Sequence, residues 1–131
     1  MKYLIDTNIC IHFFRGKFNL KDKFEKVTLD SCAISEIKLA EMIYGAENSL
    51  DKKQNYKIID KFSEQVKVLP IFDALKIYAK EKVRLKEKGQ MISDFDLLIG
   101  STAIANDLIM VTENLKEFKR IKKIKIENWV T

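Results

Sequence analysis

The chain has 131 residues, the size of a typical domain, and is expected to form one domain over residues 1–131 around one hydrophobic core. Apolar residues make up 47% and charged residues 33%, which excludes general disorder, and 24 Lys+Arg against 19 Asp+Glu leave a charge of +5 that points to an anionic partner. The single histidine, His12, excludes any mechanism needing a histidine pair, and the two cysteines, Cys10 and Cys32, cannot build a zinc site alone and are expected to be reduced and packed.

Lys2 to Ile5 reads as a short buried strand, followed by a helix from Thr7 to Phe14 that stops near Arg15-Gly16. Leu29 to Ile34 reads as a second strand, with helices from Ser35 to Glu47 and from Asp51 to Gln65 after it. Val66 to Ile71 is a predicted strand and Phe72 to Lys88 a long helix, whose apolar positions Leu75, Tyr78, Ala79 and Val83 recur every three or four residues. The predicted elements end with a helix from Ser93 to Ala105, a strand from Leu108 to Thr112, a helical turn from Asn114 to Lys119, and a strand from Lys125 to Glu127. Strands alternating with helices imply parallel pairing through right-handed crossovers, hence a three-layer α/β/α sandwich with a central parallel sheet. No apolar run approaches the ~18 residues of a membrane span, and MKYLIDTNIC lacks the pattern of a cleavable signal, so the expected location is the cytoplasm.

In open parallel sheets, ligand sites lie at the carboxyl ends of strands, which singles out Asp6 and Thr112. Asp6, in DTN, can cap a helix with one oxygen and bind a cation with the other, with Thr7 and Asn8 orienting it. Glu41 lies mid-helix at the edge of an apolar arc of Leu39, Ala40, Met42, Ile43, Tyr44 and Ala46; alone it reads as a solvated glutamate. Asp94 and Asp96 follow Ser93 at the mouth of a helix so apolar that it must be largely buried. Glu117 alone is an ordinary surface acid. Gathered together, three or four carboxylates repel strongly unless a hard cation sits among them. Mg²⁺ or Mn²⁺ takes oxygen ligands, polarises a phosphoryl oxygen and lowers the pKa of an attacking water, so no histidine base is needed. No HExxH, CxxC, GxSxG, GxGxxG or GxxxxGK pattern occurs, which argues against zinc-hydrolase, nucleophile-elbow, dinucleotide-binding and P-loop chemistry.

YLIDTNICI at the start, ISEIKLAEMIYGAENS, ISDFDLLIGSTAIANDLIMVTEN with KEF after it, and the closing IKIENW together resemble the PIN-domain family, and within it the bacterial VapC-type toxins of toxin–antitoxin pairs. The resemblance implies a metal-dependent endoribonuclease, acting on tRNA or another structured RNA and inhibiting translation, with Mg²⁺ (or Mn²⁺) as cofactor. It assigns the catalytic and metal-holding acids to Asp6, Glu41 and Asp96. Glu117 best matches the variable fourth position, with Asp94 and Glu113 as further candidates, and Thr112, Asn114 and Asn8 support the pocket. The family usually has alanine where this chain has Gly100, and Glu113 adds an acid between Thr112 and Asn114. As partners it implies a second copy of the chain and a cognate antitoxin whose C-terminal segment blocks the acidic groove with an arginine or lysine.

Lys116, Lys119, Arg120, Lys122, Lys123 and Lys125 would form a basic rim for an RNA backbone, whereas Phe13, Phe14 and Phe118 read as core more than as base-stacking groups. Two other readings compete. A non-catalytic RNA-binding module would use the same rim, with the acids merely capping helices. A phosphoryl-receiver domain would share the sheet and the early acid, but here Ser35 stands where a phosphorylatable aspartate should end a middle strand.

Overall fold

The structure, a computed structural model, describes residues 1–130. The chain runs β1 (Tyr3–Ile5), α1 (Thr7–Phe14), α2 (Leu20–Val27), β2 (Cys32–Ser35), α3 (Glu36–Glu47), α4 (Lys52–Gln65), β3 (Lys67–Leu69), α5 (Leu75–Glu87), α6 (Asp94–Ala105), β4 (Ile109–Val111), α7 (Leu115–Phe118) and β5 (Lys125–Glu127). All strand pairs are parallel and the sheet order is β3-β2-β1-β4-β5, so the expected α/β architecture holds.

Side chains alternate across each short strand and divide the core in two. Tyr3, Ile5, Cys32, Ile34 and Val111 face Ile9, Leu20, Phe24, Met42, Ile59 and Phe62 of α1 to α4. Leu4, Ala33, Leu69 and Met110 face Leu85, Leu97, Ile99, Ala103 and Phe118 of α5 to α7. Phe13, Phe14, Phe24, Phe62, Tyr3 and Trp129 make one aromatic cluster of edge-on and tilted contacts under the first layer. Phe118 is fully buried and cannot stack on bases, whereas Phe13 and Phe14 are half-buried and packed against the core as expected. Cys10 and Cys32 are free and buried, as expected; burial pushes the Cys32 thiol up to about 11 and raises that of Cys10 further.

Four expectations need correction. No element is expected over Leu20–Val27, yet this segment is α2, burying Leu20 and Phe24 one turn apart. Leu29–Ser31 is not strand but a 3-10 turn, entered through Thr28 at φ 68° and tied by Ser31 Oγ, which donates to Val27 O and Thr28 O. The stripe expected on α5 meets the core only at Tyr78, which is half-buried against it: Leu75, Ala79 and Val83 are exposed, while Glu81 and Leu85 are buried. On α3, Ala40, Ile43 and Tyr44 are likewise exposed, and the buried positions are Lys38, Met42 and Ala46.

Gly100 lies where α6 crosses close to the segment after α7. A methyl group there would collide with Ile121 Cδ1 and touch Ile124 and Phe118, each at 3.4 Å. The glycine is therefore matched to the isoleucine that fills the space.

Topology fixes where a site can form. From β1 the chain moves outward to β2 and β3, then returns across β1 to lay down β4 and β5 on its other side. The sheet order thus reverses between β1 and β4, and the crevice above their carboxyl ends is the switch point at which open α/β sheets bind ligands. Ile5 pairs with Val111 there, which places Asp6 and Thr112 side by side.

Candidate active site

Asp6 is held from three directions. Its backbone N–H donates to Val111 O at 2.9 Å, Oδ1 accepts the Thr7 N–H at 2.8 Å, and Oδ2 accepts the Thr112 hydroxyl at 2.7 Å. It caps α1 through Oδ1 while its carboxylate faces the crevice. Thr112 Oγ1 in turn accepts the Asn114 N–H at 3.0 Å, which folds the loop after β4 back over the site. Asn8 does not orient Asp6: it is exposed on the first turn of α1, and the Thr7 backbone and Thr112 hydroxyl take that role.

Ser35, fully buried at the end of β2, caps α3 through the Ile37 N–H and so fixes the start of that helix. One turn on, Lys38 points inward and is only 6% exposed. Its Nζ lies 3.2 Å from Asp6 Oδ1, 3.3 Å from Glu41 Oε2 and 3.6 Å from Asp96 Oδ1. The three acids therefore do converge, from β1, α3 and α6. Their mutual repulsion, expected from the sequence, is relieved by a cation that the chain itself supplies. Burial alone would push the Lys38 ammonium down, but Asp6, Glu41 and Asp96 outweigh it and hold the ammonium above its ordinary pKa.

Lys38 escapes a reading of the sequence because lysines are seldom buried. The available signal is its spacing: three residues before Glu41, it shares a helix face with the acid. Asp96 reaches the crevice from the first turn of α6, where Ser93 caps the helix by accepting the Asp96 N–H at 3.2 Å.

The remaining candidates lie outside this cluster. Glu117 Oε2 accepts from the Asn114 side-chain Nδ2 at 3.3 Å, and it connects to Thr112 only through Asn114, whose backbone N–H donates to Thr112 Oγ1. Asp94 turns toward α5, where Lys82 at 2.9 Å and the Tyr78 hydroxyl at 2.8 Å hold its carboxyl below the usual range. Glu113 accepts from His12 Nε2 at 2.6 Å, tying the end of β4 to α1. Of the basic residues, Lys116, Lys119, Lys122, Lys123 and Lys125 are exposed, whereas Arg120 donates to Met91 O and is engaged in holding the fold.

Beside Glu41 a groove of about 380 Å³ runs between α1, α3 and α4, lined by Thr7, Ile11, Phe14, Arg15 and Met42 among others. The Thr7 hydroxyl, on its wall, is buried and without a hydrogen-bond partner among the described residues.

The donor chemistry suits a hard divalent cation: three carboxylates already surround a positive charge, one of them locked by two hydrogen bonds. Among the described residues no three such ligands stand gathered at metal-ligating positions, since the acids are spaced around the ammonium.

Comparison with known proteins gives the family of the chain. The PIN-domain family matches residues 3–124. The chain is 35% identical to the tRNA(fMet)-specific endonuclease VapC of Salmonella typhimurium and 37% identical to ribonuclease VapC2 of Rickettsia felis, over 98% of both chains in each case. Among solved structures, DNA-bound VapBC from Salmonella typhimurium superposes with a TM-score of 0.91 at 33% identity, covering 98% of each chain. VapBC2 from Rickettsia felis, bound to a promoter DNA fragment, gives 0.90 at 35%, covering 98% of this chain and 99% of that one. The chain therefore belongs to the PIN-domain family, in its VapC group of ribonuclease toxins.

Proposed function

We propose that this protein is the toxin of a type II toxin–antitoxin pair, a Mg²⁺- or Mn²⁺-dependent endoribonuclease that hydrolyses phosphodiester bonds in tRNA or another structured RNA and so inhibits translation. The observation that carries this reading is the convergence of Asp6, Glu41 and Asp96 on a single cation at the switch point of the sheet. A relative at 35% identity is named a tRNA(fMet)-specific endonuclease, which supports tRNA as the substrate class.

Asp6, Glu41 and Asp96 would hold the metal, which when bound supplies the positive charge that an attacking water and the scissile phosphate require. Asp6 is the anchor, because Thr7 N–H and Thr112 Oγ1 fix both of its oxygens. Glu117, held by Asn114 at the edge, is the fourth acid of the reading. The exposed lysines at 116, 119, 122, 123 and 125 would lie along the RNA backbone.

The solved VapBC relatives support an antitoxin as partner. In our reading its C-terminal segment enters the groove beside Glu41 and offers a cation to the acids, and the toxin pairs with a second copy of itself. No helix among the described residues is long and apolar enough to cross a membrane, in keeping with action in the cytoplasm.

The test is cleavage of a tRNA pool by the purified, antitoxin-free protein with Mg²⁺ or Mn²⁺ and with chelator. Asp6→Asn, Glu41→Gln and Asp96→Asn should each keep the fold and lose at least about a hundredfold in cleavage rate. RNA retention without metal-dependent cleavage would turn the reading to a binding module.

A further inference from the structure

Lys38 is unusual for where its charge sits. Its stem is buried on the inner face of α3, and its ammonium stands among three carboxylates instead of reaching solvent. The distances of 3.2, 3.3 and 3.6 Å are all longer than the roughly 2.7–2.9 Å of an optimised ammonium–carboxylate bond, so the charge is shared among the acids and locked to none. One monovalent ammonium also leaves three carboxylates under-neutralised. A lysine head on a flexible four-carbon stem can move without disturbing the helix that carries it.

We propose that Lys38 is a built-in counter-cation of the acidic centre: it holds Asp6, Glu41 and Asp96 together in the metal-free protein, and a divalent ion must displace it to bind. Lys38 is thus a positioning residue that sets how much metal the site needs. This rests on the reading of the three acids as the metal centre. Two cations compete for one set of oxygens, and the tethered one is always present, so its removal strengthens the free one's binding. The same removal leaves the carboxylates facing one another, and the metal-free fold weakens.

The experiment is Mn²⁺ binding to chelator-stripped full-length protein by calorimetry, for wild type, Lys38→Met, Lys38→Gln and Asp96→Asn, with thermal melting in parallel. Both Lys38 variants should bind Mn²⁺ roughly tenfold or more tighter than wild type. They should also melt lower without metal and recover most of the loss at saturating Mn²⁺. Mn²⁺ binding that is lost in Asp96→Asn but unchanged or weaker in the Lys38 variants overturns the lysine's role and leaves the metal centre standing. No Mn²⁺ binding by wild type or by either Lys38 variant overturns the metal centre, and the proposal with it. Should neither Lys38 variant fold, the wild-type ammonium is followed by NMR during Mg²⁺ titration. A Lys38 signal shielded from exchange in metal-free protein should lose that shielding as Mg²⁺ saturates; a signal unchanged at saturation overturns the proposal.

Discussion

Thr112 contributes one hydroxyl, yet that hydroxyl joins both halves of the site. It donates to Asp6 Oδ2 at 2.7 Å and accepts the Asn114 N–H at 3.0 Å, in a fully buried position. Thr112→Val keeps the shape and removes both bonds, leaving a buried carboxylate oxygen and a backbone N–H without partners. The expected cost is about 1–3 kcal/mol of stability and roughly a 10–100-fold fall in metal affinity, whereas Thr112→Ser should keep most of each. Urea unfolding and Mn²⁺ calorimetry measure the two effects, and a valine variant that binds Mn²⁺ as wild type does would remove Thr112 from the site. At this scale the strand-end rule picks out Asp6 and Thr112 from chain position alone, and the motif resemblance adds Glu41 and Asp96. Lys38 stays hidden because its role depends on long-range company: two of the three acids it meets lie 32 and 58 positions away, in other elements.

Among the elements, α5 shows how one buried acid can bind a helix to a distant loop. Glu81 accepts Arg84 Nε at 2.7 Å and Nη2 at 2.8 Å, and the Lys122 N–H at 2.6 Å, while Arg84 Nη2 also donates to Arg120 O at 2.7 Å. Arg84 first, and the Lys122 N–H with it, hold the Glu81 carboxyl below its usual range against the opposing effect of burial. A carboxyl whose pKa is lower in the folded state stabilises fully above its unfolded value, near ~4.3, and that stabilisation fades as pH falls through the folded value. Glu81→Gln should therefore cost about 1.5–3 kcal/mol at neutral pH, and the gap from wild type should close as unfolding is measured at progressively lower pH. A gap that stays constant from neutral to strongly acidic pH would mean that shape, not charge, makes the clamp. The clamp also explains why the apolar stripe on α5 misleads. Leu75, Ala79 and Val83 have the right period, but Glu81, satisfied by the half-buried Arg84, and Leu85 take the core-facing positions instead. Periodicity reports that a helix has two faces; a satisfied charge can decide which goes inward. The short α2 escapes for a different reason. Asn19 is a residue type that caps helices, but it sits in the left-handed region without a cap hydrogen bond, and only Leu20 and Phe24 are buried, too few positions to show a helical period.

For the whole molecule, what matters is that the three acids arrive from positions 6, 41 and 96 and meet only because the sheet order reverses between β1 and β4. A cation shared by them ties β1, α3 and α6 together, and unfolding must break that tie. Metal that binds only the folded arrangement should stabilise the protein by mass action, by about 2.7 kcal/mol at a hundredfold excess over its dissociation constant. Asp96→Asn separates this effect from ordinary structure. Without metal the variant should melt close to wild type, because Lys38 keeps Asp6 and Glu41 as partners and Ser93 still caps α6. With saturating Mn²⁺ it should gain much less than wild type, having lost one of the three carboxylates. Thermal melts of both proteins, with and without Mn²⁺, make the comparison. A variant that melts far lower before any metal is added would mean that Asp96 serves the fold at the mouth of α6. A variant whose gain equals that of wild type would place the bound ion elsewhere, and the switch point would lose its claim to be the active site.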